Sequence, residues 1–394
     1  MNQQEFLKNI FIVDALRTPI DSARKSLKNF SAADLASVAI KGILTRNHIQ
    51  GKWIDQVILG NTVSAGAGQN LSRHAACLAG IPDEVPAFSV NHVCGSGLQA
   101  VILGIQAILC GDARMVLVGG TESASQSPLI VKNKSEDNKE NETVESLIHD
   151  GLTCQIVHKH MGELAELIAE KYNITRQQQD QFACQSHSKA LRVMDGHKFK
   201  DEIIPMTLND KEFLTKDRRV RKNIDLEKLA SLPAAFKKNG TVTAGNSSIP
   251  CDGAAVLLLA SKEMIEKHKI KAMARILSYA SVALDPAMVF TAAIKAVKTC
   301  LEKTQLKISD IDLFEISEAF AVQAIVTQRE LRIPENKLNI YGGDVALGHP
   351  LGTAGARIFV TLLHALHHEK KSKGLAAVCL GGGGAIAIAV EAMV

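Results

Sequence analysis

The same order of pieces occurs twice in this chain: an apolar strand, a glycine-rich turn with a reactive side chain, a long apolar helix, and an apolar strand ending in glycines. In the first copy Cys94 begins the stretch GSGLQAVILGIQAIL, and ARMVLVGG follows. In the second, His349-Pro350 precedes GTAGARIFVTLLHAL, and LAAVCLGGGG follows. Such a chain is expected to be an internally duplicated α/β protein whose halves pack with the active site at their junction; an α/β protein that is merely periodic is the alternative. Further strand-like runs, FIVDA, QVILGNTV, RILSYASVAL and DLFEIS, alternate with helical stretches at 32–46, at 291–303, after Glu318 and after Gly352. Continuous apolar strands between helices predict a mostly parallel sheet covered on both faces.

At 394 residues the chain exceeds one ordinary core and fits two or three packed units. Apolar residues make up 46% and charged ones 22%, which fits a soluble globular fold. A net charge of +4 and only 4% aromatic residues argue against a nucleic-acid partner. The eight cysteines have no framework spacing and no CxxC pair, so they read as free thiols in a reducing compartment. No run is expected to reach the length of a membrane span, no motif demands a metal, and neither terminus carries a recognised address signal. Cytoplasm is the default expectation.

Between the repeated parts the texture changes. Residues 121–249 hold the polar stretch KNKSEDNKENETVES (132–146), expected as an exposed loop, then a polar helical stretch over 161–197. The basic segment KDRRVRK (216–222) and GTVTAGNSS follow, and the whole reads as an insertion laid over the core. Arg218, Arg219, Arg221 and Lys222 either hold phosphates or form a solvated face.

Cys94 lies between the strand at Ala87–Val90 and a helix opening with Gly95-Ser96-Gly97. A thiol there faces the positive end of the helix dipole, and the glycines let a carbonyl approach the backbone. His349 is fixed by Pro350 and neighbouring glycines, which suits an imidazole that accepts the thiol proton or donates to an oxyanion. Cys379 precedes four glycines, Gly381 among them, whose amides can cradle an oxyanion. For both thiols a small core cysteine is the bland alternative. Glu318 either orients His349, polarises a nearby group, or is only a helix-start carboxylate.

These segments resemble the thiolase family, most closely its biosynthetic-type acetyl-CoA acetyltransferases. The match runs from RTPI at Arg17 to GGGGAIAIAVEA and includes KHMGELAE, GTVTAGNSS, CDGAAVLLLAS and SEAFAVQA. The resemblance implies two αβαβα-type halves with an inserted loop domain: 1–120 completed by about 250–271, the insertion at 121–249, and 272–394. It implies that Cys94 takes the acyl group as a thioester, His349 activates it, and Cys379 moves the α-proton of the second acetyl group. The amides of Cys94 and Gly381 would form one oxyanion hole, and His349 with a water the other. Leu152, His160, Met161 and Ser248 would line the pantetheine tunnel, with Arg221 by the adenine end, and Ala319 and Phe320 would also bind coenzyme A. Coenzyme A thioesters would be substrates, with no cofactor tightly bound, in a homodimer or homotetramer.

The chain departs from the family pattern at several places. Ser317 stands where an asparagine usually holds the oxyanion-hole water, and losing such a donor outright can cost about 10²–10³ in rate. VFTAA (289–293) replaces the usual MGxGP, so Phe290 should reshape the acyl pocket. His92 replaces a common glutamine, and 132–145 is not the usual basic assembly loop. The implied reaction is condensation of two acetyl-CoA to acetoacetyl-CoA, or its reversal. The alternatives are a thiolase of altered chain length and a weakened homologue acting as a binding subunit.

Overall fold

The computed structural model describes residues 7, 9–132 and 142–393. The first half is built from β1 (Ile10–Arg17), α1 (Ala32–Arg46), β2 (Gln56–Gly60), α2 (Leu71–Leu78), β3 (Ala87–Val90), α3 (Ser96–Cys110) and β4 (Met115–Ser123). Helix α1 starts where it does because Ser31 and Asp34 form a reciprocal capping box. Its buried Leu35, Ala36, Ala39, Ile40 and Ile43 recur at helical spacing. The intervening region carries α4 (Met161–Lys171) and α5 (Arg176–Asp195), after which β5 (Cys251–Ser261) returns to the sheet. The second half comprises β6 (Ala274–Ala283), α6 (Ala292–Glu302), β7 (Leu313–Ile316), α7 (Ala321–Leu331), α8 (Asp344–Leu347), α9 (Ala354–His368), β8 (Lys373–Leu380) and β9 (Gly384–Ala392).

The strands form one ten-stranded sheet ordered β7-β8-β9-β6-β1-β5-β4-β2-β3, with the short strand Asp21–Ser22 beside β5. The halves repeat one another in this order. The run β1-β5-β4-β2-β3 is matched by β6-β9-β8-β7, and Leu338 bridges β7 in parallel where β3 pairs with β2.

The expectation of a mostly parallel sheet needs correcting. Only β7–β8, β4–β2 and β2–β3 pair in parallel among these strands; the central pairings are antiparallel. AAVCLGGGGAIAIAV is the clearest reason, because it is two strands joined by a tight glycine hairpin, which forces opposite directions. Positive φ values of 86° at Gly382 and 91° at Gly383 make that hairpin possible.

Side chains alternate between cores on the two faces of each strand. From β4, Val116 and Val118 enter a central core while Met115 and Leu117 enter an outer one. From β9, Ile386, Ile388 and Val390 enter the same central core, and Ala385, Ala387 and Ala389 an outer one on the other side. The central core is shared by α3 and α9, giving five layers, αβαβα.

Helices α3 and α9 cross closely at this centre. A β-carbon at Gly97 would lie 2.9 Å from the Ala356 side chain, and one at Gly355 would lie 2.8 Å from that of Leu98. Each helix follows directly on its reactive turn, so the crossing brings the two turns together.

Three boundary expectations differ from what is seen. Strand β4 runs to Ser123, through the expected domain boundary at 120. The stretch Val93–Cys110 is long and apolar enough to span a membrane by length and composition, against the expectation of no such run; half of it is buried in the protein. Part of the expected 132–146 loop lies outside the described residues, and its flanks Leu129–Lys132 and Glu142–Glu145 pair as a hairpin.

Candidate active site

Cys94 sits half-buried on the turn between β3 and α3. The turn is strained, since Val93 adopts φ +50°, which is costly for a β-branched residue. Neutral hydrogen bonds hold it: Thr62 Oγ1 and Ser96 Oγ donate to the Val93 carbonyl at 2.9 and 2.6 Å. Ser96 Oγ also accepts from His92 N–H at 2.8 Å, and Asn91 Oδ1 accepts from Val93 N–H at 3.0 Å. At Gly60 any β-carbon would lie 2.3 Å from Ser96 backbone, so only glycine lets α3 begin there.

His349 is 4% exposed and anchored by its own N–H, which donates to Ile249 O at 3.0 Å. Its Nδ1 lies 3.3 Å from Asp344 Oδ2, with the approach too oblique for a well-directed hydrogen bond. Asp344 is fully buried, pairs with the Arg357 guanidinium, and accepts Glu318 N–H at 2.9 Å. Burial alone would raise the Asp344 carboxyl, but Arg357 and His349 hold it down at about 2. Burial alone would lower the His349 imidazole, but the Asp344 carboxylate and Cys94 raise it to about 10.

Cys379 lies buried near the end of β8, with Sγ 3.9 Å from Ser317 Oγ. Burial and the neighbouring Cys94 push its thiol well up, so it rests protonated. One cavity of about 310 Å³ brings Cys94, His349, Cys379 and Gly381 together. Leu152, His160, Met161, Ser248, Ala319 and Phe320, each singled out from the sequence, line it as well.

Other expected residues lie elsewhere. Ser317 is buried behind Cys379 and does not line the cavity. Glu318 does not touch His349 through its carboxylate, which accepts from Ser186 Oγ, Asn339 Nδ2 and Val345 N–H at 2.7, 2.8 and 3.2 Å. It is therefore a helix-start carboxylate, for α8 and not for the helix that follows it in sequence. Arg221 is exposed and outside the cavity, and its N–H donates to His187 Nδ1 at 3.1 Å. The basic cluster is split: Arg219 is buried and donates to Ser247 O at 3.3 Å, while Arg218 faces Glu212 at 3.8 Å. Among the described residues no group of three His, Cys, Asp or Glu is placed to hold a metal.

Sequence reasoning missed Asp344, whose signal is an acid set among apolar residues five positions before His349. It also missed Phe236, which lines the cavity and stacks on His160 with ring centres 5.0 Å apart. Glu122 was missed too. It accepts from Asn61 Nδ2, Thr62 N–H and Val63 N–H on the nucleophile side, and from Gly352 N–H on the imidazole side. Burial pushes this carboxyl to about 7 against those four donors.

A rigidly held thiol, a charged imidazole and a protonated second thiol at the end of an apolar cavity can form an acyl thioester and move a proton to or from carbon. Two family models match the chain: thiolase, N-terminal domain, over residues 10–263, and thiolase, C-terminal domain, over residues 270–392. A protein of Staphylococcus aureus (strain COL) named "Probable acetyl-CoA acyltransferase" is 42% identical over 391 residues, covering 98% of this chain and 99% of the relative. The crystal structure of the Bacillus anthracis acetyl-CoA acetyltransferase superposes with a TM-score of 0.95 at 36% identity, covering 98% and 99% of the two chains. That of human mitochondrial 3-ketoacyl-CoA thiolase in complex with CoA gives 0.95 at 37% identity, covering 99% of each.

Proposed function

This chain belongs to the thiolase family and is an acyltransferase, and from that premise we propose that it interconverts acetoacetyl-CoA plus coenzyme A with two acetyl-CoA. The observation that carries the reading is the convergence of Cys94, His349 and Cys379 at one apolar cavity. In thiolysis the Cys94 sulfur attacks the 3-keto carbonyl and the carbon–carbon bond breaks. The electron pair leaves as the enolate of acetyl-CoA, and Cys379, resting as a thiol, supplies its proton. The coenzyme A thiol then returns a proton to Cys379 and takes the acetyl group from Cys94, and condensation is the same path reversed.

The short-chain assignment rests on aromatic walls. Phe290 and Phe320 meet edge to face with ring centres 5.1 Å apart, Phe236 lies 6.0 Å from Phe320, and all three line the cavity. A cavity of about 310 Å³ that must also take a pantetheine arm favours a small acyl group.

The test is thiolysis of acetoacetyl-CoA beside a 3-ketoacyl-CoA of eight carbons or more, with Cys94→Ala as control. Activity on the short substrate, lost in the variant, is expected. A preference for the longer substrate would make this a chain-shortening thiolase. Folded protein inactive on both would point to a binding subunit.

A further inference from the structure

Resting on the thiolase reading, we propose that Asp344 is a positioning residue that turns the Cys94–His349 pair into a three-member relay. It fixes which imidazole nitrogen serves the reaction and keeps a compensating negative charge behind it.

The geometry carries this. Asp344 Oδ2 lies 3.3 Å from His349 Nδ1, and both side chains are sealed from solvent. The approach is oblique, so the contact is chiefly one of charge, and a negative oxygen at 3.3 Å favours the proton on the ring nitrogen that faces it. That leaves Nε2 as the atom available to Cys94 and to substrate. The carboxylate is itself held from two other sides, by the Arg357 guanidinium of α9 and by the Glu318 amide. Glu318 in turn accepts the Val345 amide, so it ties the start of the short helix α8 at two points. Such orientation through a third group is how a buried carboxylate assists a nucleophile–imidazole pair on unrelated folds.

The charged and titratable groups around the imidazole are few. They are Asp344 on α8, Arg357 on α9, Cys94 before α3, Cys379 on β8 and Cys251 at the start of β5, with Glu318 behind Asp344. Arg357 is already paired with Asp344, and burial keeps the thiols of Cys379 and Cys251 up. Asp344 is therefore the group that sustains an imidazolium here.

The test is Asp344→Asn, which keeps shape and an acceptor for the Glu318 amide but removes the charge. The first readout is the rate of Cys94 alkylation by iodoacetamide from pH 6 to 10. Without the carboxylate, His349 should fall back from about 10 toward its ordinary 6.5. Alkylation at pH 7 should then drop by at least about 10-fold and recover at higher pH. Thiolysis should lose kcat by a similar factor with KM unchanged. A purely structural Asp344 would lower the melting temperature and leave the alkylation profile of the folded variant where the wild type has it, which overturns the proposal.

Should the variant not fold, histidine nitrogen NMR of the wild type decides. A ring protonated on both nitrogens well above pH 7 is expected, whereas a ring neutral at pH 7.5 overturns the relay. Neither alkylation nor NMR needs a substrate, so the relay can stand or fall separately from the thiolase reading.

Discussion

The two reactive turns occupy matching places in matching halves, yet they are furnished in opposite ways. The Cys94 turn is half-exposed and backbone-strained, and its bonds are to neutral hydroxyls and amides. The His349 turn is buried and backed by charge, with Asp344, Arg357 and Glu318 behind the ring. The contrast extends to the neighbouring strands. The last paired residues are Gly60 with Gly120 in one half and Ile316 with Ala377 in the other. One step on, Asn61 matches Ser317; two steps on, Glu122 matches Cys379. The same slot thus holds a tether in the first half, where Asn61 donates to Glu122 at 2.9 Å, and an acid in the second, where Ser317 meets Cys379 at 3.9 Å. A duplicated scaffold fixes where groups stand, and the local electrostatics decide what each one does.

The sharpest way to break this contrast is His349→Gln. Removing the imidazole should lower thiolysis by about 10²–10⁴-fold, measured as kcat/KM. The charged ring also stabilises the fold, because its folded value of about 10 exceeds its ordinary 6.5. That contribution is full below 6.5 and disappears as pH rises through 10. Urea melts at pH 7 and pH 10 should therefore show the gap between wild type and variant narrowing at the higher pH.

Next in size is Glu122→Gln, which aims an amide N–H₂ at backbone donors. A loss of about 1–3 kcal/mol in unfolding free energy is expected, with kcat falling less than for His349→Gln. Full stability with collapsed activity would instead make Glu122 a chemical group and erase the contrast with Cys379. The smallest effect is expected for Ser317→Ala. Its contact with Cys379 lowers that thiol, so its loss should raise the thiol further. Because condensation and thiolysis share one path, kcat/KM should fall in both directions alike, by about 1 kcal/mol or roughly fivefold. The alkaline limb of the condensation pH profile should move upward with the thiol, and an unmoved profile would assign Ser317 to some other task.

Much of this was legible in the sequence because glycine and proline punctuate it. The helix near Ala32–Arg46 was read, and the Cys94, His349 and Cys379 segments were each found at a strand or helix end. Strand direction was not legible, since LGGGGAI looks like one apolar run until its glycines are seen to reverse the chain. Asp344 was missed and the role of Glu318 was left open, because a four-residue helix folds back and brings an acid five positions away to 3.3 Å from the ring. Sequence spacing cannot tell which of two nearby carboxylates faces the imidazole. Arg221 was placed by its charge, and charge alone does not fix a side chain to a cavity.

The close crossing of α3 and α9 bears on how such a protein can change over time. A β-carbon gained at position 97 or 355 has to be answered on the opposite helix at once, so the two ancestral copies are bound to vary together there. Beside the turns the halves are joined again, since the Glu122 carboxylate accepts from Thr62 N–H on one side and from Gly352 N–H on the other. A change of chemistry is therefore easiest in the reactive side chains themselves, which project into the cavity, while the seam that joins the halves leaves room for glycine alone.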